Sequence, residues 1–270
     1  MAAKQIVFIG AGNMAEGIAR GIITQKIMAA ADITACDPAA ARREVFAGLG
    51  AKVSADNTPA YGAPVVLLAV KPQQIADVLK ECGPHWGAGT LVVTIAAGVK
   101  TESVAAAAAP GTRIVRVMPN LPMACGAGMS GVARGAGATA EDEKFVLSVF
   151  GAGGKAAAVA EKHLDAVTAV SGSGPAYVFL LAEILEKSAR ELGLPGEICE
   201  TMARQTVIGA ARLLETTDIP SGEWRARVTS KGGTTAAAVD HMLDNGIDRL
   251  IIEAVGKAAA RSAELSALAK

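Results

Sequence analysis

The chain has 270 residues, 51% of them hydrophobic, and its 26 basic and 26 acidic residues give no net charge. This length and composition suit one or two soluble domains with well-developed cores. Balanced charge gives no reason to expect a polyanionic partner, and an aromatic content of 3% leaves few rings on which nucleic-acid bases could stack. We therefore expect no nucleic-acid partner.

The cysteines and the N-terminal residues indicate a cellular setting. Four cysteines, at positions 36, 82, 125 and 199, form no C-x-x-C pair. This spacing favours neither a zinc site nor a disulfide framework, so we expect no metal and a reduced, cytoplasmic environment. The N-terminus lacks the apolar core of a signal peptide, and the sequence predicts no apolar run that approaches the roughly 20 residues of a membrane span. We expect no membrane partner.

Short β-rich runs alternate with helical patterns from residue 4 to about residue 160. Such alternation is typical of a Rossmann-type, doubly wound α/β domain, a parallel sheet with helices on both faces. The predicted strands are 5–9, 33–36, 65–70, 91–95 and 114–117, with shorter edge strands at 129–132 and 156–160. The predicted helices are 14–23, 39–49, 72–80, 101–108 and 140–150.

The remaining sequence has a helical pattern, which predicts a change of domain: 1–160 as a dinucleotide-binding domain and 161–270 as an all-helical one. The predicted helices are 163–192, 195–214, 234–243 and 247–268. The first is interrupted at residues 171–175, where Pro175 removes a backbone hydrogen bond, so we expect a kink or break there. The small residues either permit close helix crossing or face a substrate.

A G-x-G-x-x-A motif follows the first predicted strand directly. Gly10 permits the tight turn, Gly12 lets a pyrophosphate approach the backbone, and Ala15 allows the helix to pack on the sheet. Because four more strand and helix units follow, the motif predicts dinucleotide binding rather than a glycine turn without a ligand. The predicted coenzyme-binding residues here are Gly10, Ala11, Gly12, Asn13 and Met14.

The second strand ends at Asp37, where an acidic residue hydrogen-bonds the adenosine ribose of NAD and repels a 2′-phosphate. Arg42 and Arg43 lie one helical turn further on and either neutralise such a phosphate or form a solvated helix face. The pattern favours NAD but leaves NADP open. Further coenzyme contacts are expected at the carboxyl ends of later strands, where ligands of open α/β sheets lie. These residues are Val70, Lys71, Met118 and Asn120, with Lys71 equally readable as a surface lysine.

A glycine pair between hydroxyl residues opens a helix at residues 230–235. Glycines allow a tight turn, and the free N–H groups of a helix start attract a carboxylate or phosphate. The alternative is that Thr234 or Thr235 only caps the helix. The rest of the chain offers poor acid–base catalysts, since His85, His163 and His241 lie in ordinary contexts and no hydrolase or Walker motif occurs. An imine substrate would need no strong acid, because its nitrogen is basic enough to take a proton with only a hydroxyl or water assisting.

The chain as a whole resembles pyrroline-5-carboxylate reductases, in the order and spacing of six motifs. The resemblance implies NAD(P)H-dependent reduction of 1-pyrroline-5-carboxylate to L-proline, the last step of proline biosynthesis. It also implies a helical C-terminal domain that forms a homodimer, with dimers assembling into a larger ring. The motifs are Gly10-Ala11-Gly12-Asn13-Met14, Ala69-Val70-Lys71-Pro72, Ala96-Ala97-Gly98, Met118-Pro119-Asn120, residues 170–177 and residues 230–235.

By the same resemblance, the loop at 230–235 holds the substrate carboxylate, and Thr235 is the proton donor beside the ring nitrogen. The residues expected to bind substrate are Ser230, Gly232, Gly233, Thr234 and Thr235 in the loop, Val170, Ser171 and Gly172 at the pocket border, and Asp218. Those expected to approach the coenzyme are Asn57, Ala69, Lys71, Pro72 and Ala97.

Two departures from the family pattern and two rival functions bear on this hypothesis. Lys231 stands where the family commonly has proline, and Asp37 where NADP-preferring members have a small hydroxyl residue. A β-hydroxyacid dehydrogenase would need asparagine four residues after its helix lysine, but Lys187 is followed there by Glu191. A non-catalytic dinucleotide-binding protein is expected to have lost the loop at 230–235, which is present.

Overall fold

A computed structural model describes residues 5–268, with the side chains described to residue 267. The chain divides into two compact units. One comprises the residues up to Ser173 together with those from Ala258 onward, and the other is Gly174–Lys257. The predicted domain boundary between residues 160 and 161 stays a prediction.

The first unit contains an eight-stranded sheet of order β3-β2-β1-β4-β5-β6-β7-β8. All neighbouring pairs are parallel except β6 and β7, which are antiparallel. The order reverses between β1 and β4, where open α/β sheets bind their ligands. The strands are β1 Ile6–Ile9, β2 Ile33–Cys36, β3 Lys52–Ser54, β4 Val65–Leu68, β5 Leu91–Thr94, β6 Arg113–Met118, β7 Gly128–Arg134 and β8 Gly154–Ala158.

Helices cover both faces of the sheet, as the alternation of strand and helix patterns predicts. Successive β1 residues belong to opposite cores: Ile6 and Phe8 to one, Val7 and Ile9 to the other. Strand side chains alternate between faces, so a strand apolar at every position needs a cover on each side. The helices are α1 Asn13–Thr24, α2 Ala40–Gly48, α3 Ile75–Cys82, α4 Thr101–Ala107 and α5 Ala140–Gly151, with α1 and α5 contributing to the first core and α3 and α4 to the second.

Most predicted strands are confirmed within one or two residues, and three differences are instructive. The sequence reasoning missed β3, a three-residue strand. It extended β4 to Val70, whereas the strand ends at Leu68 and the chain turns into the coenzyme edge. The expectation of an edge strand at 129–132 is wrong, because β7 lies between β6 and β8.

The predicted break in the long helix is confirmed. Short helix α6, Leu164–Val167, runs into a π-helical turn, Thr168–Gly172, and a new helix starts at Gly174. The helices that follow are α7 Gly174–Glu191, α8 Gly196–Thr216, α9 Ser221–Arg227, α10 Thr234–Asp244 and α11 Ile247–Leu268, of which α9 was not predicted.

The second unit leaves a large apolar surface open in the single chain. The helix α7 has no buried residue, and Phe179 on it is 55% exposed, while Ile252 on α11 is 60% exposed. The stretch Glu161–Glu191 is also long and apolar enough, by length and composition alone, to cross a membrane. The expectation that no such stretch exists was therefore too strong. An exposed apolar surface of this kind is typical of a site that another protein or a membrane covers.

Candidate active site

The turn after β1 has the geometry of a dinucleotide cradle. Gly10 adopts a left-handed φ of +94°, and a Cβ built on it would lie 2.9 Å from the carbonyl carbon and oxygen of Ala69. Only glycine fits such a position. A Cβ built on Gly12 would meet nothing within 4 Å, so the backbone faces open space at the start of α1. The cradle therefore fits a pyrophosphate on the helix N-terminus.

Asp37 lies directly after β2 and is fixed against this turn. One carboxylate oxygen, Oδ2, accepts the backbone N–H of Ala11 at 2.8 Å, and the other, Oδ1, accepts that of Ala39 at 2.9 Å. The side chain is only half-buried. The carboxylate is thus held beside the cradle in a defined orientation, with solvent access for a ribose hydroxyl.

Arg42 and Arg43 brace the same loops. Arg42 donates from Nε to the carbonyl oxygen of Ala11 at 2.6 Å and from Nη2 to Glu16 at 2.9 Å. Arg43 donates from Nη1 to the carbonyl oxygens of Asp37 and Pro38, each at 2.7 Å. The hydrogen bond from Arg42 holds the pKa of Glu16 below its ordinary value despite partial burial. Both side chains thus have loop partners rather than forming only a solvated helix face, and the alternative that they neutralise a phosphate stays a prediction.

The other predicted coenzyme residues lie along the carboxyl edge of the parallel strands. Ala69 and Val70 follow β4 and are half-buried, whereas Lys71 and Pro72 are exposed at the start of the 3₁₀ turn Pro72–Gln74. Ala97 is exposed in the loop after β5. The coenzyme-binding roles of these residues stay predictions.

Asn57 belongs to a small polar cluster in the first unit, together with Tyr61, Glu81 and His85. Asn57 precedes the 3₁₀ turn Thr58–Ala60 and donates from Nδ2 to Glu81 at 3.0 Å. The hydroxyl of Tyr61 contacts the same carboxylate at 3.5 Å, and its ring stacks on His85 with centroids 3.9 Å apart. His85 therefore has the ordinary structural setting that the sequence suggested.

Asn120 follows β6 and is 9% exposed. Its Nδ2 donates to the carbonyl oxygen of Ser171 at 3.1 Å and to the Ser171 hydroxyl at 3.3 Å, while its Oδ1 accepts the backbone N–H of Met129 at 2.8 Å. The Met118 side chain packs against the same π-helical turn, since a Cβ on Gly172 would lie 2.7 Å from the Met118 Cε. Residues predicted to touch coenzyme and substrate are thus joined, which the sequence reasoning did not foresee.

The loop at 230–235 belongs to the second unit. Gly232 has a φ of +72°, and the backbone N–H of Gly233 donates to the carbonyl oxygen of Ser230 at 3.0 Å. Gly233 is the N-cap of α10, so Thr234 and Thr235 are the first two helical residues. The alternative that a threonine caps this helix is therefore wrong. The first turn of α10 presents backbone N–H groups and two hydroxyls, as an anion site requires.

Other predicted residues have plainer surroundings. Asp218 is exposed in the loop between α8 and α9, Lys231 is exposed, and Val170 is 66% exposed. Lys187 is exposed and lies 3.8 Å from Glu191. Among residues 5–268, no group of three or more His, Cys, Asp or Glu side chains is arranged to hold a metal ion.

Comparison with known proteins places these features in a family. Residues 161–265 match the family model described as pyrroline-5-carboxylate reductase dimerisation. Residues 5–98 match the model described as NADP oxidoreductase coenzyme F420-dependent.

Individual relatives match over nearly the whole chain. A pyrroline-5-carboxylate reductase of Glycine max is 40% identical over 261 residues, which are 96% of this chain and 95% of that protein. The solved structure of a pyrroline-5-carboxylate reductase from Coxiella burnetii has a TM-score of 0.90 and 35% identity, covering 97% of this chain and 98% of the other. A Plasmodium falciparum pyrroline carboxylate reductase with NADP bound has a TM-score of 0.85 and 26% identity, covering 98% and 99%. The chain belongs to the pyrroline-5-carboxylate reductase family of NAD(P)-dependent oxidoreductases.

Proposed function

We propose that the chain reduces 1-pyrroline-5-carboxylate to L-proline with NADH or NADPH, as the last step of proline biosynthesis. The observation that carries the proposal is the joint presence, in a member of this family, of an open dinucleotide cradle at Gly12 and a glycine-turned helix start bearing Thr234 and Thr235. The bound coenzyme supplies a hydride to the carbon of the ring C=N bond. The ring nitrogen takes a proton, so the cyclic imine becomes the secondary amine.

The residues that would hold the coenzyme lie along the carboxyl edge of the sheet. The backbone at Gly10 and Gly12 and the start of α1 hold the pyrophosphate, and Asp37 binds the adenosine ribose. The support is the left-handed turn at Gly10, the open face of Gly12 and the fixed carboxylate of Asp37. The further contacts proposed are Ala11, Asn13, Met14, Asn57, Ala69, Val70, Lys71, Pro72, Ala97 and Met118.

The first turn of α10 holds the substrate carboxylate, and Thr235 supplies the proton. Its N–H groups lack carbonyl partners within the helix, and their partial positive charge favours an anion. Because the imine nitrogen is already basic, a hydroxyl such as that of Thr235 is a sufficient proton donor. The remaining proposed substrate contacts are Ser230, Gly232, Gly233 and Thr234 in the loop, Val170, Ser171 and Gly172 in the π-helical turn, and Asp218.

NADH is the preferred coenzyme. Asp37 places a negative charge where NADPH carries a 2′-phosphate, and the repulsion penalises that coenzyme. Arg42 offsets this charge little, because its guanidinium is already paired with the carboxylate of Glu16 at 2.9 Å, and Arg43 is held by the carbonyl oxygens of Asp37 and Pro38. Dissociation constants for NADH and NADPH test the preference, and equal or tighter NADPH binding would contradict it.

The second unit forms a homodimer, and dimers assemble into a larger ring. The exposed apolar faces of α7 and α11 support the dimer, because a single chain leaves Phe179 and Ile252 more than half exposed. The match to a dimerisation family over residues 161–265 favours a second copy over a membrane as the cover, and it supports a domain beginning at residue 161. The four free cysteines support a reducing, cytoplasmic location.

Purified protein, racemic 1-pyrroline-5-carboxylate and either reduced coenzyme test the reaction. We expect nicotinamide absorbance to fall only when substrate is present, with one proline formed for each coenzyme oxidised. If the nicotinamide absorbance does not fall with either coenzyme, the proposed reaction is contradicted. Multi-angle light scattering tests the assembly: a monomer mass at micromolar concentration would contradict the dimer, and a simple dimer would contradict the ring.

A further inference from the structure

The π-helical turn Thr168–Gly172 is an irregular segment inside an otherwise helical run. A π-helical turn shifts the hydrogen-bond partners of its residues, and such turns are rare and concentrated at functional sites. The shift is visible at its end, where the backbone N–H of Ser173 donates to the carbonyl oxygen of Thr168, five residues back, at 2.8 Å.

The carbonyl group of Ser171 lacks its ordinary helical donor. In an α-helix this oxygen would accept from the residue four positions later, and that residue is Pro175, which has no N–H. Asn120 supplies a donor from outside the helix, at 3.1 Å from Nδ2. The same Nδ2 lies 3.3 Å from the Ser171 hydroxyl, so the amide nitrogen has two acceptors on one residue.

The other end of the Asn120 amide is fixed as well. Its Oδ1 accepts the backbone N–H of Met129 at 2.8 Å, and the Ser171 hydroxyl lies 3.4 Å from the carbonyl oxygen of Met129. Asn120 therefore connects the loop after β6, the start of β7 and the π-helical turn. A buried amide with these partners specifies one arrangement of all three segments.

We infer that Asn120 is a positioning residue for substrate binding, which holds the π-helical turn in place, and that it does not ligate the coenzyme. The positioning role rests on the proposed function in one respect, namely that Val170, Ser171 and Gly172 border the substrate. The acceptors of the Asn120 amide nitrogen are both on Ser171, so the donor end of this buried side chain serves the π-helical turn. The prediction from sequence that Asn120 binds the coenzyme rests on its position after β6 and on the motif Met118-Pro119-Asn120, neither of which specifies where the amide points.

The substitution Asn120→Asp tests the donor end of the amide separately from the acceptor end. The carboxylate keeps an oxygen to accept the Met129 N–H but removes the donors to Ser171 and sets a charged oxygen against its carbonyl oxygen. Asn120→Ala removes both ends. Asn245→Ala is the matched control, because Asn245 is an exposed asparagine whose amide donates to the carbonyl oxygen of His241 at the end of α10.

Steady-state kinetics give the first test. For Asn120→Asp we expect the KM for 1-pyrroline-5-carboxylate to rise about tenfold, the equivalent of about 1.4 kcal/mol, with the dissociation constant for NADH within twofold of wild type. Asn245→Ala should change neither constant. A large rise in the NADH dissociation constant with an unchanged substrate KM would instead make Asn120 a coenzyme ligand and overturn the inference.

Amide hydrogen exchange of the coenzyme-free protein gives a readout that needs no activity. We expect faster exchange across residues 168–173 in both Asn120 variants, with the Met129 amide still protected in Asn120→Asp and exposed in Asn120→Ala. Unchanged exchange across residues 168–173 would contradict the inference even if the enzyme is active. An inactive wild-type protein that shows the expected exchange would instead contradict the proposed function and leave the positioning role standing.

Discussion

Replacing Asp37 with serine should convert a preference for NADH into tolerance of NADPH. The Asp37 carboxylate is fixed by the backbone N–H groups of Ala11 at 2.8 Å and Ala39 at 2.9 Å, so it cannot swing away from an approaching phosphate without losing both bonds. The substitution Asp37→Ser removes the negative charge but keeps a hydroxyl that can meet a ribose or phosphate oxygen.

The expected size follows from the charges. Two unit charges 4 Å apart repel by about 1 kcal/mol in water and by about 4 kcal/mol near a protein surface. Because Asp37 is half-buried, we expect NADPH binding to improve by about 2 kcal/mol, roughly thirtyfold. NADH loses a charge-assisted hydrogen bond to its ribose, worth about 1.5–3 kcal/mol. Together these terms should shift the ratio of the two dissociation constants by roughly 400-fold or more.

Titration calorimetry with NADH and NADPH measures both constants without catalysis. Asp32→Ser is the matched control, because Asp32 immediately precedes β2 whereas Asp37 immediately follows it. We expect the control to leave the ratio unchanged. An unchanged ratio in Asp37→Ser, with the thermal unfolding temperature preserved, would refute the reasoning, since the charge would then play no part in coenzyme choice.

Three further predictions concern catalysis, stability and thiol reactivity. Thr235→Ala should lower kcat by about a hundredfold or more with little change in the NADH dissociation constant, and Thr235→Ser should recover most of the loss; wild-type turnover in the alanine variant would contradict the proton-donor role. Asp142→Asn should lower the free energy of unfolding at pH 7 by about 3 kcal/mol, because the buried carboxylate pairs with Arg113 and completes the α5 capping box with Thr139. Burial raises the pKa of Asp142, but the hydrogen bonds from Thr139 and Arg113 outweigh it and hold the pKa below its ordinary value. The difference in unfolding free energy from wild type, followed by denaturant unfolding, should therefore persist at neutral pH and shrink as acid protonates the carboxylate; a difference independent of pH would contradict the assignment. Burial raises the pKa of Cys36 and Cys82 to about 12, so a thiol reagent at neutral pH should modify exposed Cys125 first and reach those two only on unfolding; their rapid modification in the folded protein would contradict this.

The first unit could be predicted from sequence because its signals are local. The strands β1, β2, β4 and β5 are apolar runs, and the turn at Gly10 is a position that only glycine tolerates. The strand β7 was predicted but its antiparallel direction was not, although one signal was present. Only residues 119–127 separate β6 from β7, and a parallel crossover needs a dozen residues or more.

The role of Asn120 could not be predicted, because its partners are distant in sequence. Met129 is nine positions away and Ser171 is 51 positions away. A proline four residues after Ser171 predicts a helix break, but not which side chain satisfies the freed carbonyl group. The two arginines after Asp37 were undecided for the same reason, since the acceptor of Arg42 at Ala11 is 31 positions earlier.

Transfer of a labelled hydride tests the central claim most directly. Wild-type protein would be incubated with 1-pyrroline-5-carboxylate and NADH dideuterated at C4 of the nicotinamide, and the proline formed would be analysed by mass spectrometry and NMR. We predict proline carrying one deuterium at C5, the carbon of the former C=N bond, with one labelled proline for each NADH oxidised. Unlabelled proline, or oxidation of NADH without proline, would contradict the account.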